Sequence, residues 1–450
     1  MDAATSPLLT DLYQLTMLDA YLAAGEDRTA TFELFVRRLP ERRGFLMAAG
    51  LAQALEWLEG LRFSELELAW LTETGAVSPA LIARLADFRF TGDVDAVPEG
   101  RVVFAEEPIL RVTAPLMEAQ FVESRLINLI HDQTLGASKA ARMRLAAPGK
   151  TLMDFGLRRA HGAEAGLMAA RAAWIAGFDG TATVLAGQRF GIPLAGTMAH
   201  SFVQVFDDEA AAFEAFARAR PQNLTLLIDT YDTLAAARKL VALAPKLAAA
   251  GAELGAVRID SGDLAALSRA VRAIFDAGSL GDVRIFASGG LDEDDLLAFT
   301  KAGAPIDGYG LGTALATSSD APSLDCAYKL ESYAGVARRK RSEGKASWPG
   351  AKQVWRRLGA DGRMAGDTVR LEGEAGEGEP LLIPVMRGGR RLEPPPALAE
   401  SRALAAEDLG RLPPPLAALE RSDYPVEIAA SVRRLADEVD RRLGLKGEGG

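Results

Sequence analysis

A scarce histidine lies in the stretch AGTMAHSF (195–202), which is the first place to look for chemistry. His200 is one of three histidines in 450 residues, and it ends an apolar run that starts at Pro193 and predicts a strand over 193–200. Neutral imidazole is a good acceptor of protons and phosphoryl groups near pH 7. The residues alone leave two possibilities open, a reactive histidine and a buried structural one.

Two other apolar runs end in polar residues. DFGLRRAHG (154–162) provides Phe155, which can stack on a flat ring. It also provides Arg158 and Arg159, either of which can bind a phosphate or serve an interface. RIDSGD (258–263) places Arg258, Asp260 and Asp263 around one turn. The two carboxylates can hold a Mg²⁺–diphosphate or sugar hydroxyls while the arginine neutralises an anion. Asp263 is an equally good candidate for a helix N-cap.

Glycine-rich segments follow the last two apolar runs, SGG (288–290) and GLGT (310–313). Glycines let backbone N–H groups approach an anion closely, and the start of a following helix adds a positive dipole. A phosphate site is therefore predicted, with tight turns as the alternative. Its candidate residues are Ser288, Gly289, Gly290, Gly310, Gly312 and Thr313.

The elements that must position these residues alternate between strand and helix over residues 151–313. Parallel pairing requires such crossovers, and no GxGxxG motif opens the first unit, so an α/β barrel is favoured over an open sheet. The predicted strands are TLMDFG (151–156), PLAGTMAH (193–200), TLLIDTY (225–231), AVRIDSG (256–262), RIFASGG (284–290) and DGYGLGT (307–313). In a barrel the ends of all the strands converge on one site.

The two ends of the chain have a different pattern, with an antiparallel element near 90–115 and a hairpin in VWRRLGADGRMAGDTVRL (354–371). We predict an N-terminal part of an α+β domain (1–115), a catalytic barrel (116–330) and a C-terminal part that returns to the first domain (331–450). The acidic, Gly-rich segment 370–392 has no assignment from sequence.

Composition excludes several classes of protein. The formal charge is −10, which disfavours a nucleic-acid surface or an anionic membrane as partner. One cysteine, Cys326, rules out an internal disulfide, and no apolar run is long enough to cross a membrane. Without a secretory signal pattern at its start, the chain is expected to be cytoplasmic.

Taken together, the motifs resemble those of the nicotinate phosphoribosyltransferase family, in the family's order. They are LLTDLYQLTM (8–17), DFGLRRAHG, AGTMAHSF, LIDTYDT (227–233), RIDSGDL, GLGT and WPGAKQVWR (348–356). The resemblance implies an irregular (β/α) barrel of the type II phosphoribosyltransferase kind, with an α+β domain formed from both chain ends. It also implies synthesis of nicotinate mononucleotide and diphosphate from nicotinate and 5-phosphoribosyl 1-diphosphate, in NAD salvage. ATP hydrolysis would be coupled through transient phosphorylation of His200.

The resemblance further implies roles for individual residues. Tyr13 of a partner subunit and Phe155 would sandwich the pyridine ring, so a homodimer with shared sites is expected. Thr197 and Arg258 would contact the nicotinate carboxylate. Arg158 and Asp260 would serve the phosphoribosyl side, and Thr313 the ribose phosphate or the diphosphate. The remaining substrate-binding candidates are Ser201, Ser288, Gly289, Gly290, Gly310 and Gly312. Mg²⁺ would bind with the diphosphate, through Asp260 or Asp263.

Several alternatives remain at this stage. Nicotinamide phosphoribosyltransferase would share fold and chemistry, but the cationic DFGLRRAHG favours an acid substrate. A barrel aldolase or isomerase acting on a sugar phosphate would need a Lys or Glu at a strand end. A quinolinate enzyme would be shorter, and a non-catalytic nucleotide binder would not need His200. We expect His131 to be structural and Cys326 to be a packing residue.

Overall fold

The computed structural model describes residues 5–420 and 422–444. Helices begin mostly at Ser, Asp or Pro positions and often end at glycine, as capping chemistry requires. They are α1 (Leu12–Ala24), α2 (Leu51–Gly60), α3 (Glu65–Thr74), α4 (Pro79–Leu85), α5 (Leu116–Phe121), α6 (Glu123–Ala146), α7 (Ala163–Ile175), α8 (Val184–Phe190), α9 (His200–Gln204), α10 (Glu209–Ala219), α11 (Thr233–Ala249), α12 (Leu264–Ala277), α13 (Glu293–Lys301), α14 (Thr313–Thr317), α15 (Leu398–Gly410), α16 (Pro414–Ala417) and α17 (Ala430–Arg442).

The strands belong to four sheets. They are β1 (Thr29–Val36), β2 (Leu46–Met47), β3 (Asp93–Ala96), β4 (Val102–Val103), β5 (Pro108–Pro115), β6 (Thr151–Asp154), β7 (Gly180–Thr181), β8 (Leu224–Leu227), β9 (Leu254–Ile259), β10 (Arg284–Ala287), β11 (Gly308–Leu311), β12 (Cys326–Tyr333), β13 (Val336–Ala337), β14 (Lys352–Leu358), β15 (Met364–Leu371), β16 (Glu379–Pro380), β17 (Ile383–Arg387), β18 (Arg390–Arg391) and β19 (Val426–Ile428).

The chain divides into two units. One unit combines residues 1–138 and 321–450, and the other is the continuous stretch 139–320. The sequence analysis placed its boundaries after residues 115 and 330. The first division falls inside α6, a continuous helix of 24 residues, and a helix that long contains no composition break that a sequence could reveal.

The unit built from both chain ends contains a seven-stranded sheet in the order β13-β12-β1-β5-β3-β17-β18 and a four-stranded sheet in the order β16-β14-β15-β19. The predicted hairpin is β14 paired antiparallel with β15. The segment 370–392, which had no assignment, supplies β16, β17 and β18. Its β17 pairs antiparallel with β3.

A buried charge cluster lies in this unit. The Lys352 ammonium is 2.8 Å from the Glu33 carboxylate and 3.6 Å from that of Glu331, and all three side chains are almost completely buried. Because one cation faces two carboxylates away from water, burial raises the pKa of Glu331 to about 8. The Glu331 carboxyl group therefore gives up its proton at a higher pH than an exposed glutamate does.

The other unit is the barrel. Its sheet is parallel throughout, in the order β7-β6-β11-β10-β9-β8. The gap between the two edge strands is bridged by an irregular segment, 193–197. Leu194 forms a parallel bridge with Thr181, and the Thr197 hydroxyl donates to the Thr225 carbonyl at 2.9 Å. The result is a curled parallel sheet of the expected irregular kind.

One strand prediction in the barrel was wrong, and one strand was not predicted. Residues 193–200 do not form a strand, because Pro193 and Gly196 interrupt the ladder, and half of the residues in the segment are exposed. His200 is instead the first residue of the short helix α9. Strand β7 was missed, since two residues are too few to show any hydrophobic period.

Candidate active site

Residues from five of the sequence motifs follow the parallel strands where the strands end. Phe155 follows β6, Asp229 comes shortly after β8, Asp260 follows β9, Ser288 follows β10 and Gly312 follows β11. Because parallel strands all end at one edge of the sheet, these residues share one face of the barrel. The structure thus brings together the predicted residues from five separate motifs.

An arginine and an aromatic ring form the floor of this site. The Arg258 guanidinium carbon is 5.9 Å from the centroid of the Phe155 ring. Phe155 lies directly on Gly310, where a Cβ would come within 2.4 Å of the ring. Burial lowers the pKa of Arg258, opposed by the nearby Asp260 and Asp229 carboxylates. A flat anion can stack on such a ring and pair with such a cation.

Arg258 lacks a full set of partners. Its closest carboxylate, Asp260, is 3.9 Å away, beyond hydrogen-bond distance. Its Nε is buried and has no hydrogen-bond partner among the described residues. Buried donors are normally satisfied, so this N–H is available to an acceptor on a bound ligand.

Two carboxylates are fixed beside this arginine. Asp229 Oδ2 accepts hydrogen bonds from the Asp260 N–H at 2.9 Å and from the Ser261 hydroxyl at 2.6 Å. The Ser288 hydroxyl donates to Asp260 Oδ1. Asp229 Oδ1 is buried and, within the described chain, has no hydrogen-bond partner. The network therefore orients Asp260 and leaves one free oxygen on Asp229.

His200 is half-buried, and its Nδ1 is 3.2 Å from the Thr230 hydroxyl. Thr230 directly follows Asp229, so the ring is tied to the same strand end as the carboxylate network. Ser201, the next residue, is exposed. Sequence analysis included Asp229 and Thr230 in the predicted strand TLLIDTY and in the LIDTYDT motif, without giving either a specific role. A second carboxylate beside RIDSGD was the signal that could have found them.

The glycine segments differ from each other in detail. Gly289 has φ +103°, and a Cβ there would lie 2.1 Å from the Asp260 carbonyl oxygen, so only glycine fits. The helix that follows, α13, is capped by its own Asp292, which accepts from the N–H groups of Asp294 and Asp295. The N–H groups at the helix start that were predicted to assist an anion after SGG are thus already engaged by Asp292. After GLGT, α14 has no side-chain cap, and Thr313 is exposed.

Buried ion pairs fix the start of α13. Its first residue, Glu293, is buried, and it pairs with Lys139 at 2.5 Å and with Arg142 at 2.9 Å. Lys139 also contacts Asp320 at 2.8 Å. A buried carboxylate shared by two cations fixes the position of the helix and of the Gly289–Gly290 loop that leads into it.

The remaining predicted residues of the barrel have mixed positions. Arg158 is exposed on the turn Leu157–Arg159, close enough for its charge to lower the pKa of Arg258. Asp263 caps α12 by accepting from the Ala266 N–H at 3.0 Å, in line with the N-cap alternative. The Thr197 hydroxyl is engaged in closing the barrel, and the residue also lines the cavity described next.

A cavity of about 610 Å³ adjoins the site. Phe155, Arg258, Gly310 and Thr197 line it towards the ends of the strands, and Met153 and Phe286 line its middle. A cavity of this volume lies within the usual range for small-molecule sites.

Comparison with known proteins assigns the family. Residues 8–131 match the nicotinate phosphoribosyltransferase (NAPRTase) N-terminal domain, and residues 150–348 match the nicotinate phosphoribosyltransferase (NAPRTase) family. A nicotinate phosphoribosyltransferase of Mycobacterium tuberculosis is 49% identical over 427 residues, which cover 95% of this chain and 92% of the relative.

The chain belongs to the nicotinate phosphoribosyltransferase family.

Other relatives agree with this assignment. The nicotinate phosphoribosyltransferase of Homo sapiens is 34% identical, with 92% of each chain covered. The crystal structure of human nicotinic acid phosphoribosyltransferase matches with a TM-score of 0.85 and 32% identity, over 96% of this chain and 100% of that one. A nicotinate-nucleotide pyrophosphorylase structure from Pyrococcus furiosus gives a TM-score of 0.75 at 25% identity, over 91% and 97%.

Three residues of interest lie in the other unit of this family member. Tyr13 is on α1 and about half exposed, and partial burial together with Glu123 raises its pKa. His131 accepts a hydrogen bond from the Leu324 N–H at 2.9 Å, which confirms the structural role expected of it. Burial raises the pKa of Cys326 to about 12, as a packing residue requires.

Within residues 5–420 and 422–444, no group of three or more His, Cys, Asp or Glu side chains is placed to hold a metal ion. Over the same part of the chain, no helix is both long and apolar enough to span a membrane.

Proposed function

We propose that this chain joins nicotinate to 5-phosphoribosyl 1-diphosphate, releasing nicotinate mononucleotide and diphosphate, with ATP hydrolysis coupled through His200. Such a reaction serves NAD salvage. The observation that carries the proposal is the Arg258 guanidinium over the Phe155 ring, with a buried Nε that has no partner in the described structure. An aromatic carboxylate supplies both the ring and the acceptor.

Nicotinate stacks on Phe155 and places its carboxylate on Arg258. In this position its ring nitrogen faces the ends of the neighbouring strands, where the Asp260 and Ser288 side chains are fixed by their mutual hydrogen bond. The pyridine nitrogen forms a bond to ribose C1 as the bond from C1 to the diphosphate oxygen breaks. Since diphosphate is a good leaving group, the protein mainly has to stabilise a cationic sugar centre.

The phosphoribosyl group binds at the strand ends. Asp260 is oriented for the ribose hydroxyls by Asp229 through its backbone N–H and by Ser288 through its side chain. The uncapped start of α14 at GLGT and the exposed guanidinium of Arg158 provide donors for phosphate groups. The carboxylate of Asp260 also lies where positive charge develops on the sugar.

Mg²⁺ fits this proposal as a companion of the diphosphate. Hard oxygen donors are what the ion prefers, and the buried, unpartnered Oδ1 of Asp229 beside Asp260 supplies them without a complete protein cage. When bound, the ion neutralises the charge that develops on the departing diphosphate. Asp263 contributes less, because one of its oxygens caps α12.

ATP would phosphorylate His200 as follows. If Nδ1–H donates to the Thr230 hydroxyl, Nε2 keeps its lone pair and faces away from that contact. Nε2 then forms a bond to the γ-phosphorus while the bond from that phosphorus to the ADP oxygen breaks. Water later hydrolyses the phosphohistidine to phosphate and free imidazole. Ser201 and Thr313, both exposed, are placed as further donors to phosphate groups.

The assembly proposed is a homodimer in the cytoplasm, with Tyr13 of one subunit covering the pyridine ring in the site of the other. Tyr13 has the exposure that such a role requires, since about half of its side chain is accessible. Neither a nucleic acid nor a membrane is a proposed partner, in keeping with the net charge of −10.

Product formation from 5-phosphoribosyl 1-diphosphate tests the function directly. The purified chain is supplied with Mg²⁺ and either nicotinate or nicotinamide, with and without ATP. Nicotinate mononucleotide formed from nicotinate and increased by ATP is the expected result. Preference for nicotinamide would contradict the role given to Arg258, and no product from either would contradict the transferase proposal.

The role of His200 is tested by His200→Ala, with His131→Ala as a matched control that removes a histidine placed in the other unit. His200→Ala is expected to lose the stimulation by ATP and to keep ATP-independent synthesis. A phosphate label that is stable to alkali and labile to acid should appear on the parent chain and be absent from the variant. ATP stimulation that survives in His200→Ala would contradict the phosphohistidine.

A further inference from the structure

The cavity beside the site continues through the barrel. It is lined by residues at the ends of the strands and also by residues at their beginnings, among them Thr151 of β6, Leu224 of β8 and Arg284 of β10. Four residues of extended strand, from Thr151 to Asp154, span about 10 Å. The cavity therefore reaches from the Phe155 ring to the end of the barrel where the strands begin.

At that end the lining residues are exposed to solvent. We call this end of the cavity the rear opening, and its residues are Ala219, Arg220, Pro221, Gln222, Asn223 and Arg284. They belong to the end of α10, the turn before β8 and the first position of β10. The rear opening thus connects the interior of the barrel with solvent, away from the strand ends.

Glycines on β11 make room for two aromatic rings inside the barrel. Parallel barrels are usually filled by layers of branched side chains. Here β11 contributes Gly308 and Gly310, and the rings of Phe286 and Phe155 lie against them, so that a Cβ at either position would approach a ring to 2.4 Å. The two rings occupy the space that side chains on β11 would fill, and together with Met153 they form aromatic and apolar walls of the cavity.

Two cations stand at the rear opening. Arg220 and Arg284 form no ion pair with any carboxylate in the part of the chain that the structure describes, although Asp282 lies two residues from Arg284. The Arg284 guanidinium carbon is 5.6 Å from the Phe286 ring centroid, and that ring leads towards Arg258 and Phe155. Positive charge at the opening and aromatic walls inside suit a flat organic anion.

Resting on the function proposed above, we propose that nicotinate reaches its site through the barrel, entering at the rear opening. Arg220 and Arg284 attract the carboxylate, and the ring slides past Phe286 to Phe155, where Arg258 takes over the charge. The bulky phosphoribosyl diphosphate uses the strand-end face. Nicotinate can then bind after that face is occupied, so the order of substrate addition is not restricted.

The test removes the charge at the rear opening. Arg220→Ala and Arg284→Ala are combined. Arg218→Ala is the matched control, because Arg218 is an exposed arginine in the last turn of α10, two positions before Arg220, and does not line the cavity. We expect kcat/KM for nicotinate to fall about tenfold at low ionic strength, since steering of a charged ligand is worth at least that. The loss should shrink with added salt. The kcat and the KM for phosphoribosyl diphosphate should not change.

A reversible block provides a second measurement. Gln222→Cys is treated with a methanethiosulfonate that carries a bulky aromatic group, and the wild-type chain treated in the same way is the control. The single native thiol, Cys326, is half-buried, and burial raises its pKa, so it should react slowly. Labelled Gln222→Cys should lose kcat/KM for nicotinate and regain it after reduction.

The outcomes separate the route from the function. A wild-type chain that makes product while the double variant and the labelled variant keep its kcat/KM for nicotinate overturns the route alone. A lower kcat together with a higher KM for phosphoribosyl diphosphate indicates damage to the site and also counts against the route. A wild-type chain that makes no product from nicotinate overturns the proposed function, and the route with it.

Discussion

Replacing Arg258 by glutamine should convert a preference for an acid into near indifference between acid and amide. Only 16% of the Arg258 side chain is exposed, and its closest carboxylate is 3.9 Å away. The nicotinate carboxylate would therefore be its main partner. Removing one member of a buried, hydrogen-bonded charge pair costs about 2–5 kcal/mol.

Taking about 3 kcal/mol from that range, kcat/KM for nicotinate should fall roughly 100-fold, because each 1.36 kcal/mol is about tenfold. Nicotinamide has no charge to lose, so its kcat/KM should change by less than about fivefold. Arg258→Lys keeps a charge but cannot form a bidentate contact, and it should lie between the two.

Both substrates are measured with each variant at saturating phosphoribosyl diphosphate, and Arg238→Gln, an exposed position on α11, is the control. Thermal unfolding is recorded beside the kinetics. Since burial already disfavours the charged guanidinium, Arg258→Gln should leave the melting temperature nearly unchanged. An equal loss for nicotinate and nicotinamide, or no loss for nicotinate, would refute the assignment of Arg258 to the carboxylate.

Three further predictions concern stability and local geometry. Glu331 has a pKa of about 8 in the folded chain, above its unfolded value, so the parent chain should lose stability as the pH rises from about 5 to 8. In melting experiments, Glu331→Gln should make the melting temperature depend less on pH over this range. The same pH dependence in both chains would contradict the buried charge cluster. Gly289→Ala should displace Asp260 and lower kcat at least tenfold, because the added Cβ would meet the Asp260 carbonyl oxygen. At Gly290 an added Cβ meets open space, so Gly290→Ala should cost only about 1 kcal/mol of stability through backbone strain. Equal kinetics for the two variants would contradict the close contact at Gly289. Asp263→Ala should cost about 1 kcal/mol of stability through the lost cap of α12 and leave the Mg²⁺ dependence of turnover unchanged; a raised Mg²⁺ requirement would restore a metal role to Asp263.

Sequence reasoning was most successful where elements are long and periodic. The four strands from β8 to β11 alternate with amphipathic helices whose Asp caps and Gly or Pro stops are visible in the letters, and the structure confirms them. That regularity also located the strand ends, and therefore most of the candidate site. In a barrel, order along the chain fixes which loops share a face.

The failures occur where tertiary contacts decide the local structure. The segment 193–200 has the composition of a buried strand, but it closes the barrel through one bridge and one side-chain hydrogen bond. Strand β7 has two residues and therefore no period. The N-terminus of α13 was predicted to help bind an anion, but Asp292 caps it. Residue types alone do not show whether a side chain or a ligand will cap a helix.

The residues that sequence reasoning left without a role depended on distance rather than type. Asp229 and Thr230 were visible in a quoted motif. Their importance follows from contacts with Asp260 and His200, which lie 31 and 30 positions away along the chain. A single sequence contains no measure of such proximity.

The two glycines of β11 have a consequence for redesign of the enzyme. Because the Phe155 and Phe286 rings occupy the space beside Gly310 and Gly308, that wall cannot be thickened one methyl group at a time to narrow the substrate range. Met153, on the neighbouring strand, is unbranched and can be shortened without moving backbone. Variants intended to accept larger pyridine acids should therefore change Met153 and keep both glycines. The side of the cavity formed by β11 and its two rings is rigid, and the side formed by Met153 can be changed.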